Sequence, residues 1–507
     1  MMRRGRCQNL DSCSNADSGK ILSIAAAEPF RCAECGRELK MLGLAERFPA
    51  AFLVFLAFQI AFFGFAAWRT ASGGPRRALV KTNGDTILRI AGSNTIGSSL
   101  GPALAEGFLK QQGATDVATH PGAQPEEKAV SGTLPGARSR SIITVAAHGS
   151  ATAFTGLGQG ACDIGAASRK IKAEEVRALS GLGDMTSLAS EHVLGLDGVA
   201  IIVNSANPLE SLRVDQVGQI FSGALSDWSQ VGGQPGPITV YARDDKSGTY
   251  DTFKTLILGS SPLLATAKRF EDSNLLSEAV SADREGIGFI GLPYIHSAKA
   301  LAIASSGTQP LLPNLLTVAT EDYALSRRLY LYTPENSQNK VARSFVEFAL
   351  SKQGQDIVSN LGFVSQNIRL EQAAIPEDAP KTYRTLVEDA QRLSLDFRFR
   401  TGKSELDNKA LVDLERMANF FSDFRYQSEN ILLLGFADTT GARGSNLELS
   451  LERARRVREE FERRGLRPSV VEGFGSELPV APNNSDEGRE KNRRVEVWLK
   501  ISSLARR

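Results

Sequence analysis

From residue 85 onward, short aliphatic runs alternate with stretches in which apolar positions recur every three or four residues. ILRIAG, SIITVAA, VAIIVN, ITVYA and IGFIGL read as buried strands, whereas VDQVGQIFSG and VARSFVEFALSKQGQDIV each carry one apolar face and read as helices. This alternation continues to about Gln366 and predicts an α/β fold. The stretch RLEQAAIPEDAPKTY, rich in Pro, Glu and Ala, then reads as a linker. Beyond it the pattern changes to strand LSLDFRF, helix NKALVDLERMANFFSDF, strand ILLLGFAD, helix LELSLERARRVREEFERRG, and strands near VVEGFG and RRVEVWLK. That second series predicts a compact α+β unit of ordinary domain size.

One apolar run stands apart. From Phe48 to Trp68 the chain carries no charge, and Gln59 is its only strongly polar member. About 20 such residues cross a bilayer core of ~30 Å, so a single retained transmembrane helix is expected over 48–68. A cleaved signal has an apolar stretch of only about 7–15 residues and no cysteine-rich segment before it. Basic residues flank both ends (Arg37, Lys40 and Arg47; Arg69, Arg76, Arg77 and Lys81), so they leave the orientation open. The segments expected are 1–45, small and cysteine-rich; 48–68, the span; 69–85, a Gly/Pro/Arg tether; 86–368, the α/β domain; 369–390, a linker; and 391–502, the α+β domain.

Composition narrows the class. The 507 residues carry a net charge of +2 with both signs interspersed, which argues against nucleic acid as a partner. Of five cysteines, Cys7, Cys13, Cys32 and Cys35 lie before the apolar run and only Cys162 after it, so this is no disulfide scaffold. Thiols survive best in the cytosol, which orients the N-terminus inwards and the rest into the periplasm. Cys7-x5-Cys13 and Cys32-x2-Cys35 resemble the two knuckles of a short zinc ribbon, in which four thiolates hold one structural Zn²⁺. A tail with reactive thiols is the alternative.

The C-terminal unit carries a specific likeness. GFADTTGARGSNLELSLERARRV, followed by EGFGSELPVAPNNSDEGREKNRRVEVWL, closely resembles the OmpA-like peptidoglycan-binding domain. The resemblance implies that Asp438 and Arg453 grip the zwitterionic diaminopimelate of the stem peptide, with Asn446 and Leu449 in the same motif and Asn492, Arg493 and Arg494 supporting its shape. The chemistry agrees, since a carboxylate pairs with an ammonium and a guanidinium forks onto a carboxylate. Phe436 and Ala437 replace the histidine and threonine found in many relatives.

Three segments of the α/β domain could hold an anion. RIAGSNTIGSSL sets Ser93, Asn94 and Thr95 between a strand and a helix, so that free N–H groups and hydroxyls meet at a helix start. VAAHGSATAF repeats the arrangement with Ser150, and DIGAASR ends a strand with Ser168 and Arg169. VYARDDKSGTYDTF adds Arg243, Asp245, Ser247, Gly248 and Thr249. In this order the segments resemble the periplasmic phosphate-binding proteins of ABC importers, which implies a two-lobed α/β fold closing over ligand at a hinge. Thr95, Ser150, Arg243, Asp245, Ser247, Gly248 and Thr249 match that family's ligand contacts or their supports. Asp245 would orient Arg243 or accept the proton of hydrogen phosphate, which would reject sulfate. At Ser168-Arg169 well-known members instead carry a proton-accepting aspartate, so phosphate and another small oxyanion both stay open.

Lys246-Ser247-Gly248 also resembles the Lys-Ser/Thr-Gly triad of penicillin-recognising transpeptidases, but Ser337-x-x-Lys340 follows it where that family's motif precedes it. No enzyme is expected. The sequence reading is therefore a binder of phosphate or another oxyanion, held to the inner membrane and to peptidoglycan. An ABC importer or a sensor protein is its expected partner. The rival is a structural strut between membrane and wall with a repurposed ligand module.

Overall fold

The computed structural model describes residues 2–9, 12–41, 84–245, 247–399, 405–424 and 426–501. They belong to two compact units, Met1–Leu79 and Val80–Arg507. The expected span 48–68, and all of the tether 69–85 except Gly84 and Asp85, lie outside the described residues. Among the described residues no helix is long and apolar enough to cross a membrane.

In the first unit, strand Met2–Arg6 pairs antiparallel with Ile21–Ala25 on one side and Lys40–Met41 on the other. Its small core is Ala16, Leu39 and three buried cysteines, with Cys35 packed against them.

In the second unit, the aliphatic runs assemble into one mixed sheet that serves two lobes. Strand Gly84–Gly92 lies parallel to Arg140–Ala146 and Ile164–Ala167 in the first lobe, and Thr239–Arg243 lies parallel to Lys268–Phe270 and Gly286–Gly291 in the second. Each has its own core: Leu88, Ile90, Leu104, Phe108 and Phe345 in one, Ile201, Phe221, Trp228, Phe253 and Phe289 in the other.

The long strand Glu191–Val203 joins them. Its first half pairs antiparallel with Ser326–Tyr332 and its second half with Gly286–Gly291. In that register Arg327 lies opposite Asp197. Because side chains alternate across a strand, Arg327 and its neighbour Arg328 leave opposite faces of the sheet.

The C-terminal strands Ala390–Arg398, Ile431–Gly435, Val470–Gly473 and Arg494–Lys500 form a second sheet, covered by helices Asn408–Phe424 and Arg443–Glu462. The stretch 369–390, expected as a linker, is instead part of this domain. Leu370–Glu371 pairs with Ala390–Arg398, and helix Lys381–Val387 buries Tyr383 and Val387. The Tyr383 hydroxyl donates to Glu496 at 2.8 Å. Proline and glutamate at its start hid a helix whose apolar face is only one turn long.

This domain packs directly on the α/β domain through buried ion pairs. Arg328 bridges Glu321 (2.8 Å) and Asp407 (2.7 Å), and Arg392 meets Asp322 at 2.8 Å. Arg398 donates to the Thr320 carbonyl at 2.6 Å. Breaking one partner of such a pair costs roughly 3–5 kcal/mol, because the other charge stays buried.

Candidate functional site

Between the lobes lies a cleft of about 370 Å³ whose lining includes Thr95, Asp197, Arg243, Ser247, Gly248 and Thr249. Local geometry brings them there. Gly92 ends its strand with φ of +140°, and a Cβ on it would lie 1.9 Å from the Ala166 carbonyl oxygen, so glycine alone lets the chain turn into the helix that follows. On the other lobe, Ser247 caps the helix beginning at Gly248, its Oγ accepting from the Tyr250 N–H at 3.4 Å. The two helix starts touch. Thr95 Oγ1 donates to the Gly248 carbonyl at 3.3 Å, and a Cβ on Gly248 would lie 2.6 Å from Thr95 Cα.

Behind them sits a cation absent from the sequence expectations. Arg327 is buried; its Nη2 donates to Thr95 Oγ1 at 2.7 Å, its Nε lies 3.5 Å from Asp197, and its Nη1 lies 3.6 Å from Asp251. Burial is the largest influence on this guanidinium and lowers its pKa, against the pull of the two carboxylates. The signal in the sequence was SRRLYLY, two arginines inside an otherwise apolar strand.

The other expected anion contacts divide. Arg243 is largely buried and donates to the carbonyls of Phe270 (3.3 Å) and Glu271 (2.7 Å) and to Ser273 Oγ. Ser150 Oγ accepts from the Ser168 N–H at 3.0 Å, and Ser168 Oγ lies 3.4 Å from Asp251. Ser93 is fully buried, and its Oγ has no hydrogen-bond partner among the described residues. Ser93, Ser150, Ser168, Arg169 and Asp245 are not in the cleft lining, and two of them are held by ion pairs elsewhere. Arg169 forks onto Glu175 (2.8 and 2.6 Å) over the Phe154 ring. The Asp245 side chain is 84% exposed and takes a hydrogen bond from Arg269 at 2.6 Å. In each case a nearby opposite charge on the same lobe captures the side chain.

In the C-terminal domain, a cleft of about 730 Å³ has Asp438, Asn446, Leu449, Arg453 and Arg493 in its wall. Asp438 accepts from Arg493 (2.9 Å) and from the Thr440 N–H (2.8 Å). Burial opposes its ionisation, but these hydrogen bonds hold its pKa below the ordinary carboxylate range. Arg453 lies over the Phe399 ring, 5.7 Å from the centroid, with Nη1 3.4 Å from the Phe436 carbonyl. Arg493, expected only to support the shape, keeps buried Nε and Nη2 atoms without partners among the described residues.

The N-terminal thiols converge. All four Sγ atoms lie within 4.8 Å of one another, with Cys7 to Cys35 at 3.4 Å and Cys13 to Cys32 at 3.6 Å. Four sulfurs on Zn²⁺ at about 2.3 Å stand about 3.8 Å apart, so the set can hold a tetrahedral cation. Glu34 ties the two cysteine-bearing loops together, accepting from the Ser14 N–H at 3.0 Å and from Asn15 Nδ2 at 2.7 Å.

Residues 79–353 match the PBP superfamily domain, and residues 398–493 match the OmpA family. The first match covers more than half of the chain, which therefore belongs to the PBP superfamily and carries an OmpA-family domain after it. Among its relatives, protein SphX of Synechococcus elongatus is 34% identical over 234 residues, 44% of this chain and 68% of that one. The phosphate-binding protein PstS of Pseudomonas aeruginosa is 29% identical over 257 residues, 46% of this chain and 77% of its own. An ABC-type phosphate transport receptor from Vibrio cholerae aligns in structure over 55% of this chain and 99% of its own, at 24% identity and a TM-score of 0.42.

Proposed function

We propose that this protein captures hydrogen phosphate in the periplasm and is held to the cell wall through its C-terminal domain. The observation that carries the reading is the meeting of two helix starts, Thr95 on one lobe and Ser247, Gly248 and Thr249 on the other, beside the Arg243 guanidinium. Unpaired N–H groups, hydroxyls and one fork-shaped cation suit a tetrahedral oxyanion. That curated relatives bear the name phosphate-binding protein supports the choice of anion.

Asp438, Arg453 and Arg493 around one cleft support recognition of a zwitterion such as diaminopimelate. The apolar run 48–68 is the anchor to the inner membrane in this reading, and the four N-terminal thiols hold a structural zinc on its cytosolic side. Ligand is then passed to an ABC importer or reported to a sensor protein.

The test is cosedimentation of the full-length protein with purified peptidoglycan sacculi in ³²P-labelled phosphate. The pellet should carry protein and about one phosphate per chain. Protein in the pellet without phosphate would leave a strut between membrane and wall, and protein in the supernatant would remove the wall attachment.

A further inference from the structure

The resemblance to phosphate-binding proteins implies a proton-accepting aspartate where this chain carries Ser168-Arg169. Asp245, the other carboxylate of the motif, is exposed and paired with Arg269. If the cleft is to tell hydrogen phosphate from a fully ionised tetrahedral anion, the acceptor must come from elsewhere.

The acidic side chains that line the cleft are Asp197, Asp244 and Glu271. Asp244 is partly exposed and lies 3.8 Å from Arg243, and Glu271 is exposed. Carboxylates in contact with water discriminate little, because water takes over whatever hydrogen bond the ligand fails to make. Asp197 differs in being buried. Its Oδ2 is occupied, accepting from Thr252 Oγ1 at 2.6 Å and lying 3.5 Å from Arg327 Nε. Oδ1 takes no hydrogen bond among the described residues, although the side chain forms part of the cleft wall.

Resting on the phosphate reading, we infer that Asp197 is the selectivity residue of this cleft: its free oxygen accepts the proton of hydrogen phosphate, and Arg327 and Thr252 hold the carboxylate for that contact. Hydrogen phosphate offers one O–H donor, and its remaining oxygens face Thr95, the helix starts and Arg243. Sulfate and fluorophosphate have similar shape and charge but no proton. Either one would set an oxygen lone pair against a buried carboxylate, leaving both without a donor. Arg327 does not cancel this repulsion, because its single charge is shared with Asp251, 3.6 Å from Nη1 on its other side. The acceptor that Ser168-Arg169 does not supply is thus provided by a carboxylate on the strand joining the lobes.

The experiment is calorimetric titration of inorganic phosphate, sulfate and fluorophosphate into the full-length protein, as wild type, Asp197→Asn and Asp251→Asn, with circular dichroism to verify folding. Wild type should bind phosphate at least a hundredfold more tightly than either proton-free anion. Asp197→Asn keeps an oxygen for Thr252 and leaves Arg327 paired with Asp251; it should weaken phosphate binding roughly 10- to 100-fold, as expected for a lost charge-assisted hydrogen bond. Its amide can donate to sulfate, so the preference should fall below about tenfold. Asp251→Asn leaves the Arg327 charge to Asp197 alone and should lower the preference, but less than Asp197→Asn does. Should Asp197→Asn not fold, Thr252→Val frees Oδ2 from its donor and should lower the preference severalfold. The proposal is overturned if the folded Asp197 and Thr252 variants discriminate as wild type does, or if Asp251→Asn alone abolishes the preference. Wild type that binds no phosphate would remove the underlying reading, and this one with it.

Discussion

Arg327 and Asp197 stand opposite each other on paired strands, Nε to Oδ2 at 3.5 Å, and Asp197 lines the cleft between the lobes. Arg327 also donates to Thr95 Oγ1 at 2.7 Å, so the pair ties the strand that joins the lobes to one helix start.

Removing that cation should be costly. Arg327→Met leaves Asp197 buried without its counter-charge, with an expected loss of roughly 3–5 kcal/mol in urea unfolding at pH 7. Arg327→Lys, which keeps the charge, should recover part of the loss.

Gly248→Ala separates ligand binding from stability. Alanine suits a first helical turn, but its Cβ would lie 2.6 Å from Thr95 Cα when the lobes are together. Overpacking of this kind costs roughly 1–3 kcal/mol, about a ten- to hundredfold loss of phosphate affinity. Thermal unfolding without phosphate should stay near wild type, and the stabilisation by added phosphate should diminish.

Arg328 holds Glu321 of the α/β domain and Asp407 of the C-terminal domain at once, at 2.8 and 2.7 Å. Differential scanning calorimetry of the wild type should give one transition for the two domains. Arg328→Met strands two buried carboxylates and should lower the transition and split it in two.

Much of this architecture is legible in the chain. The aliphatic runs mark the strands of both lobes because strands covered on both faces have no polar alternation to disguise them. The GSNT and SGT segments announce the helix starts at Thr95 and Gly248. What the chain conceals is partnership. Arg169 and Asp245 sit in the right motifs, yet Glu175 and Arg269 hold them away from the cleft. Asp197 and Arg327 are 130 residues apart and meet only through strand register. Tyr383 and Val387 lie in a Pro- and Glu-rich stretch that reads as a linker until Glu496 and the neighbouring sheet supply their contacts.

Wall attachment should follow the ionisation of Asp438. Its carboxyl is held below the ordinary range by Arg493 and Thr440, so it stays charged until the pH falls below the usual carboxylate value of about 3.9. Cosedimentation with sacculi should therefore be flat from pH 7 to about pH 4 and decline below it. Asp438→Asn should reduce it across the flat range and converge with wild type as the pH falls below it, with phosphate binding unchanged.

The central claim, that the cleft between the lobes binds hydrogen phosphate, is tested most directly by calorimetric titration of phosphate, with sulfate as control, into the wild-type protein and into Arg243→Ala. Phosphate should bind with about one site per chain, sulfate should not, and the alanine variant should lose the phosphate signal while keeping its fold. Folded wild-type protein that takes up neither anion, or a variant that binds phosphate as tightly as wild type, would contradict the account.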